Sequence, residues 1–257
     1  MFTYGNLDAN NTPGLMGLLA GIGQLAAPSQ ATVTSPGRDG AFFAHASLGS
    51  GAWVFDLTAT GRTPAEVLAV TDEVALHLDP RHGLQPLTMS IAPGWIWQAV
   101  LDSELSWTRG LWVIGQECQL NAQASFTTPD SHAYANPDDT ASRTGAGPLL
   151  IDRTQGNAPS HPQITITGSL TASQHVTIAA GDYVMRCNGP LDPDQELRLD
   201  YRNLDFGIWF SRTKTHSAVP RMNNYARLQL DPGPTTITVS TTGTINEVRV
   251  AANSRRS

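Results

Sequence analysis

The sequence predicts a mainly β protein built from two domains. Three observations predict it. From Gly156 to Val250 short runs of alternating apolar and polar residues recur, each closed by Pro or Gly, which is the pattern of a β-sandwich or jelly roll. The chain of 257 residues holds 23 Gly and 17 Pro, a composition suited to strands and tight turns. Only one segment carries a complete helix signal. The length allows two ordinary domains around separate cores.

In chain order, Gly14–Pro28 is apolar but contains four glycines, so it reads as a packed arm or a short helix at an interface. Ala31–Ser35 reads as a strand, Pro36–Gly40 as a tight turn, and Ala41–Ala46 and Ala52–Thr58 as strands rich in β-branched and aromatic residues. The helix follows. Thr63 is an N-cap, Pro64 stands at N1 and Glu66 at N3, completing a capping box. Val67, Val70, Val74 and Leu78 then make one apolar face, and Asp79-Pro80 ends it. Leu87–Ile91, Trp95–Leu101 and Trp112–Ala124 read as strands, with Pro93-Gly94 a turn between the first two. Residues 127–162 are rich in Pro, Asp, Ser, Thr, Gly and Asn around one short apolar run, Leu149–Ile151, and mark the domain boundary, with room for one crossing strand. The domains are thus expected at 1–130 and 131–257. Eight strands are expected in the second: Ile164–Thr167, His175–Ile178, Tyr183–Arg186, Glu196–Tyr201, Phe206–Phe210, Ala226–Leu230, Thr236–Ser240 and Val248–Val250.

Charge narrows the function. The net charge is -6 and uneven: residues 1–130 carry 11 Asp/Glu against 4 Arg, giving -7, whereas residues 131–257 carry 11 Asp/Glu against 12 Lys/Arg, giving +1. An acidic half is a poor nucleic-acid binder, because binding there depends on neutralising phosphates. Cys118 and Cys187 lie far apart with no C-x-x-C, so both read as buried free thiols. The apolar N-terminal stretch lacks a basic n-region and is shorter than the ~20 residues of a membrane helix, so neither secretion nor membrane insertion is expected.

Catalytic motifs are missing. There is no G-x-S-x-G, no P-loop and no G-x-G-x-x-G opening a helix. His77 and His82 flank a helix end broken by Pro80, which spoils the spacing a shared metal needs. Asp192, Asp194 and Glu196 alternate, but the neighbouring prolines make this a turn rather than a glycosidase carboxylate pair. The adjacency of His216 and Ser217 does not make a nucleophile and its base, which are matched in space. No catalytic residue, cofactor or metal is therefore expected. Of six tryptophans, Trp53, Trp95, Trp97, Trp107 and Trp112 fall in the first domain and suit a core or subunit interface. Trp209 is the candidate for stacking on a glycan.

Three stretches, in order, resemble the distal tail protein (Dit) family of long-tailed siphophages, also called siphovirus-type tail components. They are Pro36–Gly40 leading through the capped helix to a strand; Gly156–Gly168; and Asn188–Asn203 followed by Leu230–Gly233 and Thr236–Ser240. The resemblance covers about residues 30–257; residues 1–30 are unmatched, and 204–224 are longer and more basic than the pattern. It implies a tail-tube-like N-terminal domain that forms a six-fold ring, and a galectin-like β-sandwich outside the ring. It also implies a structural hub at the distal end of the virion tail. The hub would be joined to the tail tube protein, the tail-tip or tail-associated protein and a receptor-binding protein, with DNA passing through the lumen unbound. Acidic residues of the ring would then repel the passing DNA. The alternative is a carbohydrate-binding module that attaches to host surface glycans.

Overall fold

The computed structural model describes residues 1–21, 28–34, 39 and 41–257. Of the Pro36–Gly40 turn only Asp39 is described, so that expectation lies outside the described residues. The chain is mainly β and divides into two compact units, Met1–Ala133 (with Ser257) and Tyr134–Arg256.

The first unit runs β1 (Phe2–Tyr4), β2 (Leu7–Asp8), β3 (Leu15–Leu19), β4 (Pro28–Thr34), β5 (Ala41–Leu48), β6 (Gly51–Gly61), α1 (Pro64–His77), β7 (Gln85–Met89), β8 (Trp95–Leu101), β9 (Thr108–Val113) and β10 (Glu117–Thr128). Strand order in its main sheet is β2-β1-β7-β8-β10-β6-β3, with β9 also on β10, and β4 and β5 pair as a separate hairpin. The long central pair, β6 and β10, is in antiparallel register from Gly51↔Thr128 to Gly61↔Cys118. Period-two alternation sends Phe55, Leu57, Ala59, Ala124 and Phe126 into the core. The rings of Phe2 and Phe55 lie 4.2 Å apart, and Phe126 meets them edge-on at 5.9 and 5.8 Å. Such pairs add about 0.5–1.5 kcal/mol each beyond area burial. Gly17 makes room for this cluster: a Cβ there would sit 2.5 Å from the Phe2 ring.

Helix α1 forms where its local signals place it. The Thr63 hydroxyl accepts from the Glu66 N–H at 3.3 Å. The Glu66 carboxylate reaches one residue beyond the cap, accepting from the Arg62 N–H at 2.8 Å. Val67, Val70, Val74 and Leu78 are buried. Replacing Thr63 with Ala is expected to cost about 1 kcal/mol, read as a lower urea midpoint with an unchanged m-value.

Several sequence expectations are corrected. Part of the apolar N-terminal stretch is strand β3 rather than a short helix, because β6 offers it a partner edge. Residues 22–27 lie outside the described residues. The single strand expected at Trp112–Ala124 is instead a hairpin: β9 ends at Val113, and Gly115, at φ 84, turns the chain into β10. The Pro93-Gly94 turn forms, with Gly94 at φ 80.

The short strand β11 (Ala133–Ala135) spans the division between units. The second unit continues with β12 (Thr140–Thr144), β13 (Gly147–Arg153), β14 (Gln163–Ser169), β15 (His175–Ala180), β16 (Tyr183–Asn188), β17 (Glu196–Asp200), β18 (Asp205–Phe210), β19 (Thr213–Ser217), β20 (Gly233–Thr241), β21 (Thr244–Ala251) and β22 (Arg255–Arg256). Two sheets, β12-β21-β14-β17-β18-β19 and β13-β20-β15-β16, share one core. Ile164, Ile166, Leu197 and Leu199 come from the first, and Ile151, Ile178, Ile237 and Val239 from the second. The polar boundary stretch at 127–162, expected to hold at most a crossing strand, contains β11, β12 and β13. Ala226–Leu230 is not a strand: Leu228 and Leu230 are buried, but only Leu230 bridges, to Ser160.

A polar clasp fastens the C-terminal segment of this unit. Arg153, almost fully buried, donates to the Leu230 carbonyl (2.6 Å), the Ala158 carbonyl (2.9 Å) and Ser254 Oγ (3.3 Å). Asp138 accepts from the N–H groups of Asn253 and Ser254 at 2.7 and 2.8 Å. Burial nevertheless pushes the Asp138 carboxyl above its usual range. Burial acts the same way on Asp139, but donors from Ser254, Thr154 and Gln155 outweigh it and hold that carboxyl low.

Candidate functional site

Two surfaces stand out, one in each unit. In the first unit, β9-β10-β6-β3 is a ladder in which β9 pairs only with β10, and β3 only with β6, among the described residues. Both outer edges therefore present backbone groups with no strand partner among the described residues. Unpaired edges invite pairing, and proteins usually blunt them with Lys, Pro or inward charge. Here β3 reads Leu-Met-Gly-Leu-Leu, without any such device. Met16 and Leu18 are 42% and 49% exposed, and at the other edge Leu111 and Val113 are 52% and 41% exposed. That much apolar surface on two open edges marks a contact region.

One face of the ladder is polar along its two central strands, with apolar margins: Met16 and Leu18 on β3 stand opposite Thr58 and Asp56, and Val113 on β9 stands opposite Glu117. On β10 the outward positions are Glu117, Gln119, Asn121, Gln123 and Ser125; on β6 they are Asp56, Thr58 and Thr60. Their side chains are tied across the strands. Gln123 donates to Asp56 at 3.1 Å, while Thr58 and Gln119 donate to Asn121 Oδ1 at 3.1 and 2.8 Å. Strands β3, β6 and β10 contain no Lys or Arg. The acidic residues of the first unit do not gather here: only Asp56 and Glu117 stand on this face, whereas Asp72, Glu73 and Asp79 lie on or just after α1.

In the second unit, the outward face of the six-stranded sheet holds an open depression of about 520 Å³, lined in part by Gln163, Thr165, Glu196, Arg198 and Arg249. Register places Arg249, Thr165 and Arg198 in one cross-strand row. The next row is Glu247, Thr167, Glu196 and Trp209. Arg249 binds Glu247 through two N–H donors at 2.8 and 2.6 Å, and Arg198 binds Glu196 at 2.9 and 2.6 Å. The Arg249 contact holds the Glu247 carboxyl below its usual range.

Neither protein-family models nor curated proteins give a match to the sequence. Solved structures do. A crystal structure of phage SPP1 Dit, described as a paradigm of the hub adsorption apparatus in phages infecting Gram-positive bacteria, superposes with a TM-score of 0.71 at 16% identity, over 97% of each chain. The chain has the Dit fold. Chains from the phage P2 baseplate in its activated conformation, with Ca and with Sr, match at TM-scores of 0.54 and 0.56, both at 10% identity over 98% of this chain and 93% of theirs.

Within the Dit fold the sequence-predicted residues fall as follows. Trp209 lies on β18, half-buried, with the Arg198 guanidinium 4.8 Å above its ring. Its indole N–H is buried without an acceptor. The five other tryptophans pack against the core of the first unit, Trp53 and Trp97 edge-on at 5.1 Å. Asp192 and Asp194 are exposed in a turn, and the Glu196 carboxylate is engaged by Arg198. His216 and Ser217 are exposed on β19, where Ser217 Oγ accepts from the Val219 N–H at 3.4 Å. His77 ends α1, and His82 lies in the following 3-10 turn. Among the described residues no group of His, Cys, Asp and Glu is placed to hold a metal, and no helix is long and apolar enough to cross a membrane. Cys118 and Cys187 are free and buried, and burial pushes the Cys187 thiol up to about 11, leaving it unreactive near neutral pH. Sequence reasoning missed the two Arg–Glu pairs, although their signal was present. Glu196-Leu-Arg198 and Glu247-Val-Arg249 repeat one pattern, and in a strand that spacing puts both charges on one face.

Proposed function

We propose that this protein is a structural hub of a phage tail tip or baseplate, assembled as a six-membered ring. The observation that carries the reading is the β9-β10-β6-β3 ladder, with two open apolar edges and one cation-poor polar face. Each copy adds its β3 edge to the β9 edge of the next. The two edges differ, so the contact is heterologous, and such contacts build rings when the rotation closes. The polar face then lines the lumen. Neutral amides and hydroxyls with two carboxylates, bordered by the apolar Met16, Leu18 and Val113 at the seams, give DNA no cation to grip, so it passes unbound. This replaces a general acidic repulsion with a specific lining.

In this reading residues 1–130 are the tail-tube-like ring domain and 131–257 a galectin-like sandwich around it. The ring joins the tail tube protein to the tail-tip or tail-associated protein, the outer units carry a receptor-binding protein, and the protein resides at the distal end of the virion tail. Its role is non-enzymatic. Light scattering on the purified full chain tests the assembly: the expected mass is six times the 27.5 kDa of one chain. A monomer at micromolar concentration would refute it.

A further inference from the structure

The two Arg–Glu pairs of the second unit form a constellation that the hub reading does not use. Their strands, β21 and β17, flank β14, so Arg249 and Arg198 stand either side of Thr165. Two strand spacings put their backbones about 10 Å apart, the width of one or two sugar rings. The depression between them, about 520 Å³, falls within the range of small-ligand sites.

The chemistry selects the ligand class. Each guanidinium carries five N–H donors, and its own Glu takes two. Among the described residues the remaining donors of both arginines meet no protein acceptor, and each Glu keeps lone pairs beside them. A donor and an acceptor held side by side suit neighbouring hydroxyls, which both give and accept hydrogen bonds. Thr165 and Gln163 add uncharged polar groups between the pairs. Two Arg against two Glu leave the patch without net charge, which disfavours a polyanion. Ion pairing fixes the side chains before a ligand arrives, so less rotamer entropy is lost on binding.

We propose that this face binds a neutral saccharide, gripped by Arg198, Glu196 and Arg249, with Glu247 holding the Arg249 guanidinium in place. Trp209 is a positioning residue: its ring supports the Arg198 guanidinium at 4.8 Å instead of meeting the sugar. The site lies wholly in the second unit and stands or falls apart from ring formation.

The test uses the full chain and saturation-transfer NMR against a panel of neutral mono- and disaccharides of glucose, galactose, rhamnose and N-acetylglucosamine, with inorganic phosphate as the anionic probe. At least one saccharide is expected to bind with a millimolar or tighter Kd. Arg198→Met and Arg249→Met are each expected to weaken it about tenfold or more, with unchanged circular dichroism. Trp209→Ala should weaken binding, and Trp209→Phe, which keeps an aromatic face under Arg198, should recover most of it. A panel without binding, binding that survives both Arg→Met changes, or binding of phosphate alone overturns the proposal. Equal loss in Trp209→Phe and Trp209→Ala overturns the positioning role.

Discussion

A chain carrying Leu18→Lys together with Leu111→Lys is expected to run as a monomer while keeping its circular dichroism and thermal midpoint. Both side chains are about half exposed, so the lysines disturb little inside one copy. Between copies they place two cations side by side across the seam, where the apolar side chains of β3 and β9 would otherwise pack against each other. Like charges brought together there cost several kcal/mol, and each 1.4 kcal/mol is tenfold in affinity. The contact recurs at every joint of the ring, so assembly fails cooperatively. Lysine at Leu150, somewhat more exposed and on β13 of the second unit, is the control and should leave the mass unchanged. A double mutant that still assembles would mean that other surfaces make the ring.

The second large effect is on stability. Arg153→Ala is expected to destabilise the second unit by about 3–5 kcal/mol, measured by urea unfolding. The loss is more than one ion's worth of attraction. Two backbone carbonyls, of Leu230 and Ala158, and the Ser254 hydroxyl lose their donor inside the protein, and a buried polar group left unsatisfied costs about 1–3 kcal/mol. Asp138 and Asp139 also lose the nearby positive charge that offsets their own. Arg153→Lys should recover little, because one ammonium cannot reach the acceptors that the planar fork spans. A loss under about 1 kcal/mol for Arg153→Ala would show that water replaces the guanidinium.

The residues that could be read from sequence were those whose structure is decided locally. Thr63, Pro64 and Glu66 specify the start of α1 within four residues, and β14 shows its buried face in the alternation of Ile164 and Ile166. Partner-dependent strands were hidden. β3 is apolar throughout, so nothing in it distinguishes strand from helix until β6 provides register. β12 is polar because it is an exposed edge, and the same reasoning that finds buried strands reads it as part of the domain boundary. Ala226–Leu230 misleads in the opposite direction: Leu228 and Leu230 alternate inward from a segment with no ladder beside it. The open edges and the Arg–Glu rows share one cause of obscurity. Both are relations between strands distant in sequence, such as Arg198 and Arg249 around Thr165, which exist only after folding.

Electron micrographs of the purified full chain test the central claim most directly. Class averages should show closed rings of six copies around a central hole, each with an outer lobe. Isolated particles the size of one chain, or two-fold dimers at micromolar concentration, would contradict head-to-tail closure through β3 and β9.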